Sequence, residues 1–206
     1  YPDGRMRDYE MSPFTTMTGD EAFRASLTWQ IHGCYVVRNS IHMAHPYDES
    51  QRAYSDDNTT RIHYYYPRKV AYCEGIYYYR QQVASVTHKV SVRRFDFLLA
   101  NESMRRQLIA LDASEENLRC FETVRWLNLV GVYMFYYLHR NELSDADRQQ
   151  GLSIMHHVWH TINIKQVSRS IRCKFGYMPL RFSWSLFRLQ EELYFWLRGL
   201  VGKNRE

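Results

Sequence analysis

The run WLNLVGVYMFYYL, Trp126 to Leu138, is the most apolar stretch of the chain, and the fold turns on what covers it. Arg125 and Arg140 bracket it. As a helix, the 14 residues between those arginines would extend about 21 Å at 1.5 Å per residue. A bilayer core is about 30 Å thick and asks for about 20 residues, so the run is short by roughly two turns. Extending it back to Phe121 brings in Glu122 and Arg125, whose charges would have to reach the interface. Tyr133, Phe135, Tyr136 and Tyr137 cluster at its end, as aromatic residues do at a membrane boundary. Two settings follow: a short membrane-embedded helix over about 121–140, or the buried centre of a bundle. In either, Trp126, Asn128, Gly131, Tyr136 and Tyr137 are the expected packing residues. Asn128 and Gly131 should face another helix, because an amide needs a partner away from water and a small residue lets backbones approach.

Helical signals lie on both sides of this run. Ser114-Glu115-Glu116 opens its helix, which reaches about 140. Ser144 with Asp147 has capping spacing and opens a helix to about 172, with Leu152, Met155, Val158, Trp159 and Ile162 inward. After Gly176 and Pro179 an amphipathic helix is predicted over about 182–200. Its expected inward face is Leu186, Leu189, Leu193, Trp196, Leu197 and Leu200, with Gly199 and Gly202 at its end. Upstream, Asn101 caps a short helix to about 111. Tyr72, Ile76, Tyr79, Val83, Val86 and Val90 recur every three or four residues behind Pro67, which predicts a helix over about 67–92.

Residues 47–62 are polar and read as a loop. A capping box at Thr18 and Glu21 starts a helix from about 19 to 44, with Gly33 a point where it could break. Residues 1–18 read as an extended arm. The predicted fold is mainly α: an irregular N-terminal arm, then one helical domain over 19–206 built as a bundle of five or six helices.

Charge is unevenly placed. The net charge is +5, yet residues 1–147 hold 17 Lys/Arg against 19 Asp/Glu. Residues 148–190 hold Arg148, Lys165, Arg169, Arg172, Lys174, Arg181 and Arg188 with no acid at all. Such a block points to an anionic partner. Within it, Lys165, Arg169 and Arg172 would share one face of a continuous helix, a stripe suited to phosphate groups. Anionic lipid such as cardiolipin is preferred over RNA as the phosphate bearer, because RNA-binding chains of this size carry more Lys and Arg in their tails.

Catalytic signatures are missing. No phosphate-binding glycine loop, dinucleotide fingerprint or nucleophile elbow occurs. Cys34, Cys73, Cys120 and Cys173 have 38 or more residues between neighbours, so no clustered zinc or redox pair forms in sequence. His156 and His160, spaced i, i+4, are the candidate metal ligands, but H-E-x-x-H is absent; the expectation is no metal and no cofactor. His139 is a candidate axial haem ligand only if its helix lies in a membrane.

Aromatic residues make up 16% of the chain, including 17 Tyr, more than one domain of this size can readily bury alone. The expected function is therefore a non-catalytic accessory subunit of a large hetero-oligomeric complex. The expected setting is the mitochondrial inner membrane, in an energy-transducing complex such as a respiratory complex or ATP synthase. One alternative is a structural protein of a mitochondrial ribosome contacting rRNA through 148–190. Another is a metal- or haem-dependent membrane enzyme.

Overall fold

The computed structural model describes residues 11–31, 34–49, 54–75, 78 and 89–204. It is mainly helical, as the patterning predicts. Six of the eight α-helices among the described residues have nine residues or more. The chain divides into two compact units, Tyr1–Lys89 and Val90–Glu206, where a single domain after residue 18 was expected.

In the first unit, β1 (Thr16–Met17) precedes α1 (Gly19–Leu27), α2 (Asn39–Ala44), α3 (Ser55–Tyr65) and β2 (Val70–Ala71). The capping box forms as read: the Thr18 hydroxyl accepts from Glu21 N–H, and the Glu21 carboxylate accepts from Thr18 N–H at 2.8 Å. Glu21 is held below the usual carboxylate range by that bond from the Thr18 backbone. Any side chain at Gly19 would collide with the carbonyls of Tyr65 and Pro67, so α1 starts hard against the end of α3.

Three expectations fail here. The predicted 19–44 helix ends at Leu27 and resumes only at Asn39. Trp29, at φ 59, lets its own N–H bond to Ser26 O and Gln30 N–H to Ala25 O. This is a left-handed helix stop that normally advertises itself with glycine. The Gly33 break point lies outside the described residues. The polar 47–62 loop contains most of α3, because Ser55, Asp56 and Asp57 are helix-start residues as well as loop residues. The Thr59 and Thr60 hydroxyls bond back to Ser55 O and Asp56 O, Asn58, Thr59 and Arg61 are buried, and α3 packs on α1. Finally, 67–75 is not helical: Val70–Ala71 pairs antiparallel with Thr16–Met17. The rest of the predicted 67–92 helix falls largely outside the described residues.

The second unit holds α4 (Asp96–Ala110), entered by a 3₁₀ turn over Val92–Phe95, then α5 (Glu115–His139), α6 (Asp145–Thr161), α7 (Arg169–Arg172) and α8 (Trp184–Leu200). Ser114 and Ser144 cap α5 and α6 as predicted, accepting from Asn117 N–H and Asp147 N–H. The start of α4 was misplaced, since Asn101 lies buried inside it. α5 packs against α4, α6 and α8. Its Trp126, Leu129, Val130, Val132, Tyr133, Phe135 and Tyr136 form the middle of the core, with Met155, Val158, Trp159 and Ile162 of the α6 side. Of the two settings predicted for 121–140, it occupies the centre of a bundle. No helix among the described residues is long and apolar enough to cross a membrane.

Candidate functional site

α8 places its leucines and Trp196 on the side away from the core. Leu186, Leu189, Leu193, Trp196, Leu197 and Leu200, expected inward, are all exposed, with Leu189 at 63%, Trp196 at 53% and Leu200 at 66%. The inward side is Phe187, Gln190, Glu191 and Phe195. Two aromatic rings supply the volume the core needs: Phe187 packs at a tilt against Trp126 and Trp159, and Phe195 lies nearly parallel to Tyr133. The two polar residues between them find partners inside. Gln190 Nε2 donates to Met178 O at 2.9 Å and to Glu191 Oε1 at 3.1 Å. Glu191 is fully buried, and burial pushes its carboxyl up to about 8 despite the Gln190 bond. It therefore sits mostly protonated at neutral pH.

Several contacts fix the rotation of α8. Arg140 donates to both carboxylate oxygens of Glu192, at 2.9 and 2.8 Å, and Tyr133 OH donates to the same group. Ser183 caps the start by accepting from Leu186 N–H. At the end, Gly202 at φ 66 allows Lys203 N–H to reach Arg198 O, as the glycine in the sequence suggested. The segment before α8 is pinned through its carbonyls: Trp126 Nε1 donates to Tyr177 O and Trp159 Nε1 to Pro179 O, each at 2.8 Å. Turning α8 to bury its leucines would break these bonds and expose Phe187 and Phe195.

The cationic stripe does not form. α6 ends at Thr161, where Glu122 Oε2 accepts Asn163 N–H at 2.9 Å and the chain turns, so Lys165 lies in a loop while Arg169 and Arg172 are the first and last residues of the short α7. The three cations are not on one helix face. Arg172 reaches toward Ile164 O. Arg181 bonds to Ile162 O and lies 5.1 Å over the Trp159 ring, and Arg148 pairs with Asp145. Lys165, Arg169 and Lys174 are exposed. Lys174 sits 5.1 Å over Tyr177, whose ring packs on Tyr194 of α8, and Phe175 packs on the same Tyr194.

The remaining candidates are placed as follows. His156 and His160 approach at Nε2···Nε2 3.0 Å, with His156 against Trp184. Among the described residues no group of three or more His, Cys, Asp or Glu is arranged to hold a metal. His139 Nδ1 meets Glu142 at 2.7 Å. Trp126 and Tyr136 are buried in the core. Tyr137 packs on Phe195 with Arg140 above it. Asn128 faces α4 as predicted, donating to Asn101 Oδ1 at 2.7 Å. Gly131 does not face a helix: it is exposed, and a Cβ there would meet nothing within 4 Å.

Two polar clusters escaped the sequence reading. Glu122 and Arg125 are buried together on α5, joined by Arg105 and by Thr161, whose hydroxyl accepts from Arg125 at 3.0 Å. Their i, i+3 spacing is a visible signal, here turned inward instead of outward. In the first unit, buried His63 places Nε2 2.7 Å from His45 O, a carbonyl that can only accept, so Nε2 carries the proton. Nδ1 then accepts from Tyr35 OH at 2.7 Å. Burial raises the Tyr35 phenol and lowers His63, which keeps both neutral and suits a structural link better than an activated acid or nucleophile. Comparison with protein-family models, curated proteins and solved structures finds no match.

Proposed function

We propose that the chain is a non-catalytic accessory subunit of a large hetero-oligomeric assembly, set in an energy-transducing complex of the mitochondrial inner membrane of the respiratory-complex or ATP-synthase kind. The observation that carries the reading is the outer face of α8, where six large apolar side chains stand in water while a glutamate is buried behind them. A monomer gains nothing from that arrangement, since burying the leucines would stabilise it by roughly 1.5–3 kcal/mol each. Contiguous exposed apolar surface is the ordinary mark of a contact with another molecule. The membrane setting draws on the charge balance: Lys165, Arg169 and Lys174 are exposed and suit anionic headgroups such as those of cardiolipin. rRNA is the competing bearer of phosphate.

The test is native gel electrophoresis and sedimentation of the tagged full chain from mitochondrial membranes, with and without nuclease. Stoichiometric migration with a nuclease-insensitive complex, lost in the Leu189→Glu/Leu193→Glu variant, is the expected result. Migration at its own 24.9 kDa overturns the reading. Collapse of the particle on nuclease treatment replaces it with the ribosomal one.

A further inference from the structure

α6 carries His156 and His160 one turn apart, both exposed, and their rings converge. The two Nε2 atoms lie 3.0 Å apart, and the ring centroids 4.7 Å apart. An N–H···N bond in line with both rings would hold the centroids at about 5.3 Å. The shorter spacing means that the axes through the two nitrogens are not collinear. A metal ion set about 2.0–2.1 Å from each nitrogen along its ring axis, with the two bonds about 95° apart, gives nitrogens about 3.0 Å and centroids about 4.7 Å apart. The pair already has both distances.

The rings are held in this posture by the core beneath them. The His156 ring lies 5.0 Å from Trp184 at 30°, and the His160 ring meets Trp159 edge-on at 4.7 Å. Trp159 is buried and fixed by its indole bond to Pro179 O, and Trp184 stacks on Phe187. The imidazoles are therefore presented in place, and little side-chain freedom remains to be lost when they take up a ligand. His157, between them in sequence, turns to Glu102 of α4 at 3.0 Å and stays out of the pair. Arg181, over the Trp159 ring, is tied to Ile162 O.

Imidazole nitrogen suits copper, nickel and zinc, and a bond angle of about 90° belongs to the tetragonal shells of Cu²⁺ and Ni²⁺ more than to a tetrahedral one. We infer that His156 and His160 form a chelating site for a single divalent ion of the copper and nickel type, with water in its remaining positions. The proton now shared between the two Nε2 atoms passes to Nδ1 of the ring that carries it, which frees both lone pairs for the ion. Once one imidazole is bound, the other adds within the chain at high effective concentration. The pair should therefore hold the ion about a hundredfold more tightly than either ring alone. Because the two nitrogens converge only on a formed helix, the ion also favours the folded chain. The inference stands independently of the accessory-subunit reading.

Calorimetric titration of the full chain with Ni²⁺ tests it, since this ion does not oxidise the free cysteines. The expected result is one ion per chain, with affinity lowered about a hundredfold in His156→Gln and in His160→Gln and unchanged in His157→Gln. All three side chains are exposed, and circular dichroism verifies that each variant is folded. Ni²⁺ should also raise the melting temperature of the parent and leave that of His156→Gln/His160→Gln where it was. Electron paramagnetic resonance with one equivalent of Cu²⁺ should show coupling to both imidazole nitrogens in the parent and to one in each single variant. Equal Ni²⁺ affinity in the parent and the paired variant would put the ion on the cysteines or on other histidines and overturn the inference. Losses below about threefold in the single variants would describe attachment through one ring and overturn it as well. So would a loss in His157→Gln as large as in the other two, or a folded parent that takes up no Ni²⁺.

Discussion

α5 and α8 are apolar in similar proportion, and the second unit treats them in opposite ways. α5 is apolar around most of its circumference, and α4, α6 and α8 surround it. α8 presents a narrow leucine seam outward and satisfies the core with two phenylalanines, a glutamine and a protonated glutamate. The difference teaches that an apolar stripe marks a face that must be covered, and that its spacing says little about who covers it. The core of this unit needed ring volume beside Trp126 and Trp159, which Phe187 supplies and a leucine row would not.

The comparison breaks first at Trp126. This side chain is fully buried, and its indole N–H donates to Tyr177 O. Trp126→Ala should lower stability by about 3–5 kcal/mol, from lost burial, a cavity and an unmet carbonyl. Chemical denaturation followed by circular dichroism measures it. A loss below about 1 kcal/mol would mean that α5 is not the packed centre.

The next largest effect belongs to the buried acid behind the seam. Glu191 has a folded pKa of about 8 against an ordinary 4.5. Across that interval the folded chain holds a proton that the unfolded chain has released, so the Glu191 contribution to stability falls as pH rises from about 4.5 to 8. Glu191→Gln, the neutral isostere, should remove this slope. The variant should match the parent near pH 4.5 and exceed it by about 4 kcal/mol at pH 8. Melting curves across that range decide it, and parallel slopes for the two proteins would show Glu191 to be solvated, with α8 rotated.

Much of the second unit was legible because its helices start with side-chain chemistry. Ser114 and Ser144 each accept the backbone bond that their place at a helix start implies, and Gly202 ends α8. What misled was chemistry used against type. Trp29 takes a left-handed helix-stop position where glycine is the usual sign. α6 ends where Asn163 N–H meets a buried carboxylate 41 residues away, which no local pattern reveals. Asn58, Thr59 and Arg61 are polar residues in a buried helix face, and Gln190 and Glu191 are the same device on α8. The candidate face was found as a stripe and placed on the wrong side for that reason. The cationic stripe failed with the helix that was to carry it.

Gly131 sharpens the contrast at smaller scale. It lies on the exposed edge of α5, a helical glycine with φ in the ordinary range and open space where a Cβ would go. Alanine there should stabilise by about 0.5–1 kcal/mol, because glycine loses more backbone freedom on folding. Thermal denaturation of Gly131→Ala gives the sign. A loss would place a close neighbour against that edge, as the helix-packing expectation for this residue had it.

The smallest expected change in stability is at Leu189. Leucine and glutamine have nearly equal helix propensity, and at 63% exposure little of this side chain has left water in the chain alone. Leu189→Gln should therefore move unfolding by about 0.5 kcal/mol or less. The same change removes a central knob of the seam, so its effect on assembly should be much larger, with loss of comigration in native gels as the readout. A substitution that is silent in folding and costly in assembly separates a surface kept apolar for a partner from one kept apolar for the core. If Leu189→Gln instead destabilises by 2 kcal/mol or more, the residue is covered within the chain, and α8 then differs from α5 only in degree.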